Sequence, residues 1–145
     1  EPDPVFMNVS FVGPARLATL MDKYGNGVVV TQVVPPFSLG GTNFPAVADY
    51  LAAMQKYSPL TRPDFGSLEG YLATKVFVEA LKRAGKNLTR EGFIDTLEGI
   101  KDLDIQAGNK ISFAKDNHQG SQTVYPTVIR AGRFVAITDW KAVRQ

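Results

Sequence analysis

Residues 28–34 of this chain are Val28, Val29, Val30, Thr31, Gln32, Val33 and Val34, a near-continuous apolar run closed by Pro35 and Pro36. It is far too short to span a bilayer as a helix, which takes about 20 apolar residues. It has the length of a strand, and branched side chains suit a pleated surface. A strand with one wet face alternates apolar and polar residues. This run barely alternates, so both of its faces must be covered, as in the parallel sheets of α/β folds. The rest of the chain therefore has to supply neighbouring strands and helices to lie across them.

It does so in order. Residues 5–12 are rich in branched and aromatic side chains and are short enough for a strand. Gly13 and Pro14 punctuate them. Pro14 suits the first position of a helix whose face carries Leu17, Leu20 and Met21, running to Lys23 and closed by Gly25, Asn26 and Gly27. After a loop over 37–44, Pro45 opens a helix with Val47, Tyr50, Leu51 and Met54 at helical spacing. The longest helix covers 65–85: Ser67 is placed to cap its start, Glu69 sits in its first turn, and Gly85 stops it behind Lys82 and Arg83. Leu68, Leu72, Val76, Ala80 and Ala84 recur at four-residue steps on its buried side. Thr89 caps a further helix with Phe93, Ile94, Leu97 and Ile100 facing inward.

Residues 110–114 and 123–130 are strands, and Ala131-Gly132 turns the second of them tightly into 133–138, the best hairpin of the chain. Phe134 and Trp140 anchor this last ribbon. Two strand–helix units, then helices, then an antiparallel ribbon leave a small sheet with open edges.

Composition excludes several functions. With 145 residues, 44% hydrophobic and 21% charged, the chain has the size of one domain and can bury a core. Its 16 basic residues are scattered, with no tract that would follow a phosphate backbone, so nucleic acid is not an expected partner. There is no cysteine, hence no disulfide, thiolate nucleophile or Cys-bound metal, and the redox compartment stays open. The opening Glu1-Pro2-Asp3-Pro4 is no signal peptide, and the chain is expected to be processed or to be a piece of something longer.

No motif points to catalysis. His118 stands in the polar turn 116–121 without an orienting partner in the pattern. Gly25-Asn26-Gly27 and Ser38-Leu39-Gly40-Gly41 lack the lysine of a phosphate loop and the glycine spacing of a dinucleotide site. Asp95, Glu98, Asp102 and Asp104 read as a solvated helix face and exit, not as a cation site. The sequons at Asn8 and Asn87 occur at chance frequency. No enzyme, cofactor or metal site is expected.

Four segments in order carry a resemblance: Gly27 through Pro35; Gly66-Ser67-Leu68-Glu69-Gly70-Tyr71 with the ending Glu79 through Gly85; Ile111-Ser112-Phe113; and His118 through Ile129. Together they resemble the C-terminal part of a type I periplasmic solute-binding protein, more narrowly its branched-chain amino acid receptor branch, from residue 5 to about residue 135. The resemblance implies an α/β fold of Rossmann-like three-layer lobes, present as a C-terminal fragment. Residues 1–145 would contribute to both lobes, with a crossover near 28–36. It further implies a periplasmic or membrane-anchored extracytoplasmic receptor that closes on a small polar solute and docks on the permease of an ABC importer. A ligand-sensing regulatory domain of the same fold is the alternative; an oxidoreductase of Rossmann type is disfavoured by the missing glycine fingerprint.

Small ligands of open α/β lobes sit beyond the carboxyl ends of strands, where loops and helix N-termini converge. Here those places are Ser10, Phe11, Val12 and Gly13 after the first strand, Pro36 and Phe37 after the second, and Phe65, Gly66, Ser67 and Glu69 at the start of the long helix. The resemblance adds the turn containing Tyr24. Where amino acid receptors of this group place an acid for the ligand ammonium, this sequence has Lys23-Tyr24, which leans toward an anionic or aromatic solute. Unpaired edges and the run 28–34 lead to a further expectation, that the isolated chain self-associates.

Overall fold

The computed structural model describes residues 4–37, 44–86 and 88–144. Along the chain lie β1 (Met7–Val9), α1 (Pro14–Met21), β2 (Val29–Gln32), α2 (Pro45–Tyr57), α3 (Phe65–Ala84), α4 (Arg90–Glu98), β3 (Leu103–Asp104), β4 (Lys110–Ile111), β5 (Tyr125–Arg130) and β6 (Arg133–Ala136). Among the described residues one sheet has the order β1-β2-β5-β6, and β3 and β4 form a separate two-stranded ribbon. Ser38 to Gly41 and Asn87 of the sequence motifs lie outside the described residues.

The apolar run is covered on both faces through Val28, Val29 and Val30, as its composition requires, while Val33 beyond the strand is exposed. Val30 packs into the main core with Ile129, Phe134, Leu68, Leu72 and Tyr50. Val29 faces the other way, against Val128 and Val143 of the C-terminal 3-10 segment Trp140–Arg144. The expected parallel sheet, however, is mixed. β2 is parallel to β1 but antiparallel to β5, with Val29 opposite Val128 and Gln32 opposite Tyr125. An apolar run reports that its faces are covered; it carries no information on the direction of the neighbouring strands.

All five expected strands are shorter than their composition suggests: of 110–114 only Lys110–Ile111 is strand, β5 starts at Tyr125 and β6 ends at Ala136. Residues 10–12 leave the first strand as a 3-10 turn that delivers Pro14 to the first position of α1. β2 ends at Gln32, before Pro35 and Pro36 could interrupt its ladder. The hairpin holds: Arg130 pairs with Arg133 around Ala131 (φ 48°) and Gly132 (φ 72°), a turn whose second central position favours glycine. Asn26 Oδ1 accepts the Ala131 N–H at 2.7 Å and ties that turn to the end of the α1 unit.

The start of α3 corrects the expected cap. Asp64, not Ser67, is the N-cap: its Oδ1 accepts the Ser67 N–H at 2.7 Å, and Ser67 Oγ accepts the Asp64 N–H at 3.2 Å. Asp64 is extended (φ −142°, ψ 171°), so its carboxylate reaches the third helical amide and Ser67 becomes the reciprocal half of the box. α4 is capped by Thr89 as expected, with Gly92 N–H 3.0 Å from its Oγ1. Its inward face is weaker than the spacing suggests: Ile94 is exposed, Phe93 and Leu97 are half-buried, and only Ile100, beyond the helix, is fully buried.

Phe134 is buried and Trp140 is half-exposed, so the ribbon is anchored by the phenylalanine. β1 forms one edge of the sheet with Phe6, Met7 and Val9 all exposed. Among the described residues no helix is long and apolar enough to cross a membrane.

Candidate functional site

α1 and α3 begin close to the carboxyl ends of β1 and β2. Between them lies a cavity of about 340 Å³. The 3-10 turn after β1 brings Ser10, Phe11 and Gly13 to it; α1 contributes Arg16. Val33 and Val34 follow Gln32 along the wall, and the first turns of α3 supply Phe65, Gly66 and Glu69 beside the cap residue Asp64. The volume is at the small end of the range for ligand sites, about 300–1,000 Å³.

Its chemistry follows from those elements. Two helix starts turn the positive ends of their dipoles, which attract a carboxylate, toward the cavity. Few of their amides are free: Pro14 has no N–H, the Arg16 N–H is bonded to the Gly13 carbonyl and the Ser67 N–H to Asp64 Oδ1. Arg16 adds a planar cation suited to the same group. Asp64 and Glu69 provide acceptors for an ammonium or amide. Phe65 is buried against Phe37, with ring centroids 5.0 Å apart, and against Phe134 at 5.5 Å, which makes a firm aromatic wall.

The floor holds an anomaly. Gln32 is 0% exposed, and among the described residues neither its Nε2 nor its Oε1 has a hydrogen-bond partner. Leaving such groups unpaired costs about 1–3 kcal/mol each. The sequence carried a signal here, because Gln32 is the one amide inside a valine-rich strand, at an even step from the buried Val28 and Val30. Arg16 and Asp64 were also not among the residues singled out from the sequence, whereas Gly66 was and does line the cavity.

Of the residues that were, Ser10, Phe11, Gly13, Phe65 and Glu69 are brought together at the cavity. Val12 instead packs against the core, and Phe37 stands behind Phe65, edge-on to Tyr50 at 6.3 Å. Ser67 is committed to its helix: besides the cap, its Oγ lies 2.6 Å from the Tyr50 hydroxyl. Tyr24 is 78% exposed in the 3-10 segment Asp22–Gly25 beyond the far end of α1, with Lys23 Nζ 5.1 Å above its ring. Neither Lys23 nor Tyr24 lines this cavity.

A larger hollow, about 500 Å³, runs along the other flank of α3, past Leu72, Val76, Phe113 and Val124. Among the described residues Glu69 is the one charged residue on its wall. It lacks the two helix starts and the mixed charges of the smaller cavity. His118 is exposed, its Nε2 2.9 Å from Glu98 Oε1, and it lines neither hollow, although its neighbour Gln119 lines the larger one.

A mixed α/β unit whose ligand-sized cavity lies beyond the strand ends, between helix starts, belongs to the solute-binding class of such folds. The sequence profile of the periplasmic binding protein family matches residues 2–133, and the chain belongs to that family. A search of curated proteins returns no match. The crystal structure of a possible leucine/isoleucine/valine-binding protein from Rhodopirellula baltica is similar with a TM-score of 0.87 and 33% identity, over 97% of this chain and 37% of that one. An extracellular ligand-binding receptor from Verminephrobacter eiseniae is similar at 0.72 and 28%, over 89% of this chain and 36% of its own. A fatty acid ABC transporter substrate-binding protein from Thermomonospora curvata shares the fold, with a TM-score of 0.68 and 20% identity over 90% of this chain and 41% of its own. The chain thus spans little more than a third of the first two structures' length. The resemblance to type I receptors and the α/β fold it implied are borne out, and the family is an extracytoplasmic, solute-binding one.

Proposed function

We propose that this chain is part of a two-lobed extracytoplasmic receptor that captures a small polar solute of the amino acid, amide or organic acid class for an ABC importer. Residues 28–36 pass between the lobes in this reading, and hinge closure over the solute creates the surface that docks on the permease. The observation that carries it is the 340 Å³ cavity at which two helix N-termini and Arg16 meet Asp64 and Glu69. Both signs of charge within one small cavity favour a solute that carries both, and the apolar wall of Phe65, Val33 and Val34 favours an aliphatic side chain. An α-amino acid has all three features. The likeness to a possible leucine/isoleucine/valine-binding protein supports the same class.

Thermal-shift screening of the full-length receptor against branched-chain amino acids, short-chain carboxylates and amides is the test, because a ligand of the folded state raises its melting temperature. Arg16→Ala and Glu69→Gln then ask whether the stabilising compound uses this cavity. A compound that stabilises the wild type and both variants equally would move the site elsewhere.

A further inference from the structure

We propose that Gln32 is a specificity-determining contact for the solute, an inference that rests on the reading of the cavity given above. The side chain closes the carboxyl end of β2 and borders the cavity between the starts of α1 and α3. Its amide is sealed from bulk water, and none of the described protein groups bonds to it. Across the sheet stands Tyr125, whose hydroxyl donates to the Ala107 carbonyl at 2.8 Å and is therefore engaged elsewhere. The buried polar residue beside it, Thr127, has its Oγ1 2.6 Å from the Val30 carbonyl. Gln32 alone among these neighbours is left with an unmet donor and an unmet acceptor.

A glutamine has three flexible side-chain torsions, and rotation toward the cavity is its route to partners. A primary amide donates through Nε2 and accepts through Oε1, so it is satisfied by a solute that offers an acceptor and a donor side by side. The carboxylate and ammonium of an α-amino acid do this; a fatty acid carboxylate offers acceptors alone. Solute entry thus relieves an unsatisfied group in the floor, and discrimination follows from the same fact, because a solute lacking the donor leaves Oε1 unpaired. The chemical class assigned is a zwitterionic amino acid, with Arg16 and the helix starts on its carboxylate and Asp64 or Glu69 sharing its ammonium.

The test uses the full-length receptor as wild type, Gln32→Met, Gln32→Glu and Arg16→Ala, with L-leucine, L-valine, L-glutamine and hexanoate as probes. Methionine matches glutamine in length and has no amide to orphan. Ligand-free Gln32→Met is expected to melt above the wild type, while calorimetry shows at least a tenfold loss of affinity for the amino acid that stabilises the wild type most. Gln32→Glu, which loses the donor, is expected to lose affinity as well, and hexanoate should bind the wild type at least tenfold more weakly than that amino acid. A purely structural glutamine would move stability and leave affinity alone. Wild-type affinity in Gln32→Met together with a loss in Arg16→Ala overturns the role of Gln32 and leaves the cavity standing. Wild-type affinity in both variants, or no probe stabilising the wild type, overturns the site as well.

Discussion

Replacement of Ser67 by alanine separates a helix cap from a ligand contact. In the structure the Ser67 hydroxyl meets the Tyr50 hydroxyl at 2.6 Å, accepts the Asp64 N–H at 3.2 Å and donates to the Asp64 carbonyl at 3.1 Å. Deleting it leaves no orphan. The Asp64 N–H keeps Tyr50 Oη at 3.2 Å, the Tyr50 hydroxyl keeps the Asp64 carbonyl at 3.3 Å, and the Ser67 N–H keeps Asp64 Oδ1 at 2.7 Å. The cost is therefore the net value of hydrogen bonds with replacements at hand, about 1 kcal/mol, and not the larger penalty of a stranded buried group. For a domain of this size that is a drop of about 2–4 °C in melting temperature. Thermal denaturation and calorimetric titration of the full-length receptor with its stabilising amino acid read the two quantities separately. Lower stability with unchanged affinity is expected. A tenfold loss of affinity at an unchanged melting temperature would refute the reasoning and put the hydroxyl on the solute.

Other outcomes follow from the same geometry. Burial raises the Tyr125 phenol above its ordinary value of 10.0, so the stability it contributes is present below pH 10 and is lost as pH rises through the raised value. Tyr125→Phe should cost about 1 kcal/mol at pH 7 and flatten part of the alkaline decline in urea titrations, the remainder coming from Tyr71, raised by burial and then by Asp49. An added Cβ at Gly120 would lie 2.7 Å from Phe113 Cζ and 3.1 Å from Ile111 Cγ2, so Gly120→Ala should destabilise by about 1–3 kcal/mol in the same assay. His118→Ala should leave solute affinity unchanged and shift stability by no more than about 0.5 kcal/mol, since its ion pair with Glu98 is exposed on the histidine side. The isolated chain should self-associate in sedimentation, because β1 offers an edge flanked by Phe6, Met7 and Val9, exposed by 69%, 58% and 53%; a monomer at high concentration would contradict this.

What could be read in advance and what could not divide along physical lines. The two-sided burial of Val28, Val29 and Val30, the helices opened by Pro14 and Pro45, the Thr89 cap and the Ala131-Gly132 turn are local and chemically specific, and each stands in the structure, whereas Val33 of the same run is exposed. Strand direction is different in kind. That β5 runs antiparallel to β2 depends on contacts nearly a hundred residues apart, and β3, two residues long, has no periodicity to detect. The cap of α3 was misplaced because Asp64 and Ser67 are both good capping residues, and only backbone geometry distinguishes the N-cap from the third helical position. The general rule for α/β lobes located the cavity through Ser10, Gly13, Phe65 and Glu69, whereas Tyr24 entered by likeness and lies at the other end of α1. Gln32 was missed although an amide among valines was in plain view; its significance needed the finding that nothing bonds to it.

The most direct test of the central claim is a crystal structure of the full-length receptor with its most stabilising amino acid bound. The solute is expected in the cavity between the starts of α1 and α3, its carboxylate toward Arg16 and the helix amides, its side chain on Phe65, and the Gln32 amide within hydrogen-bond distance of it. A solute bound in the apolar hollow along Leu72 and Val76, or anywhere that leaves Arg16, Phe65 and Gln32 untouched, would contradict it.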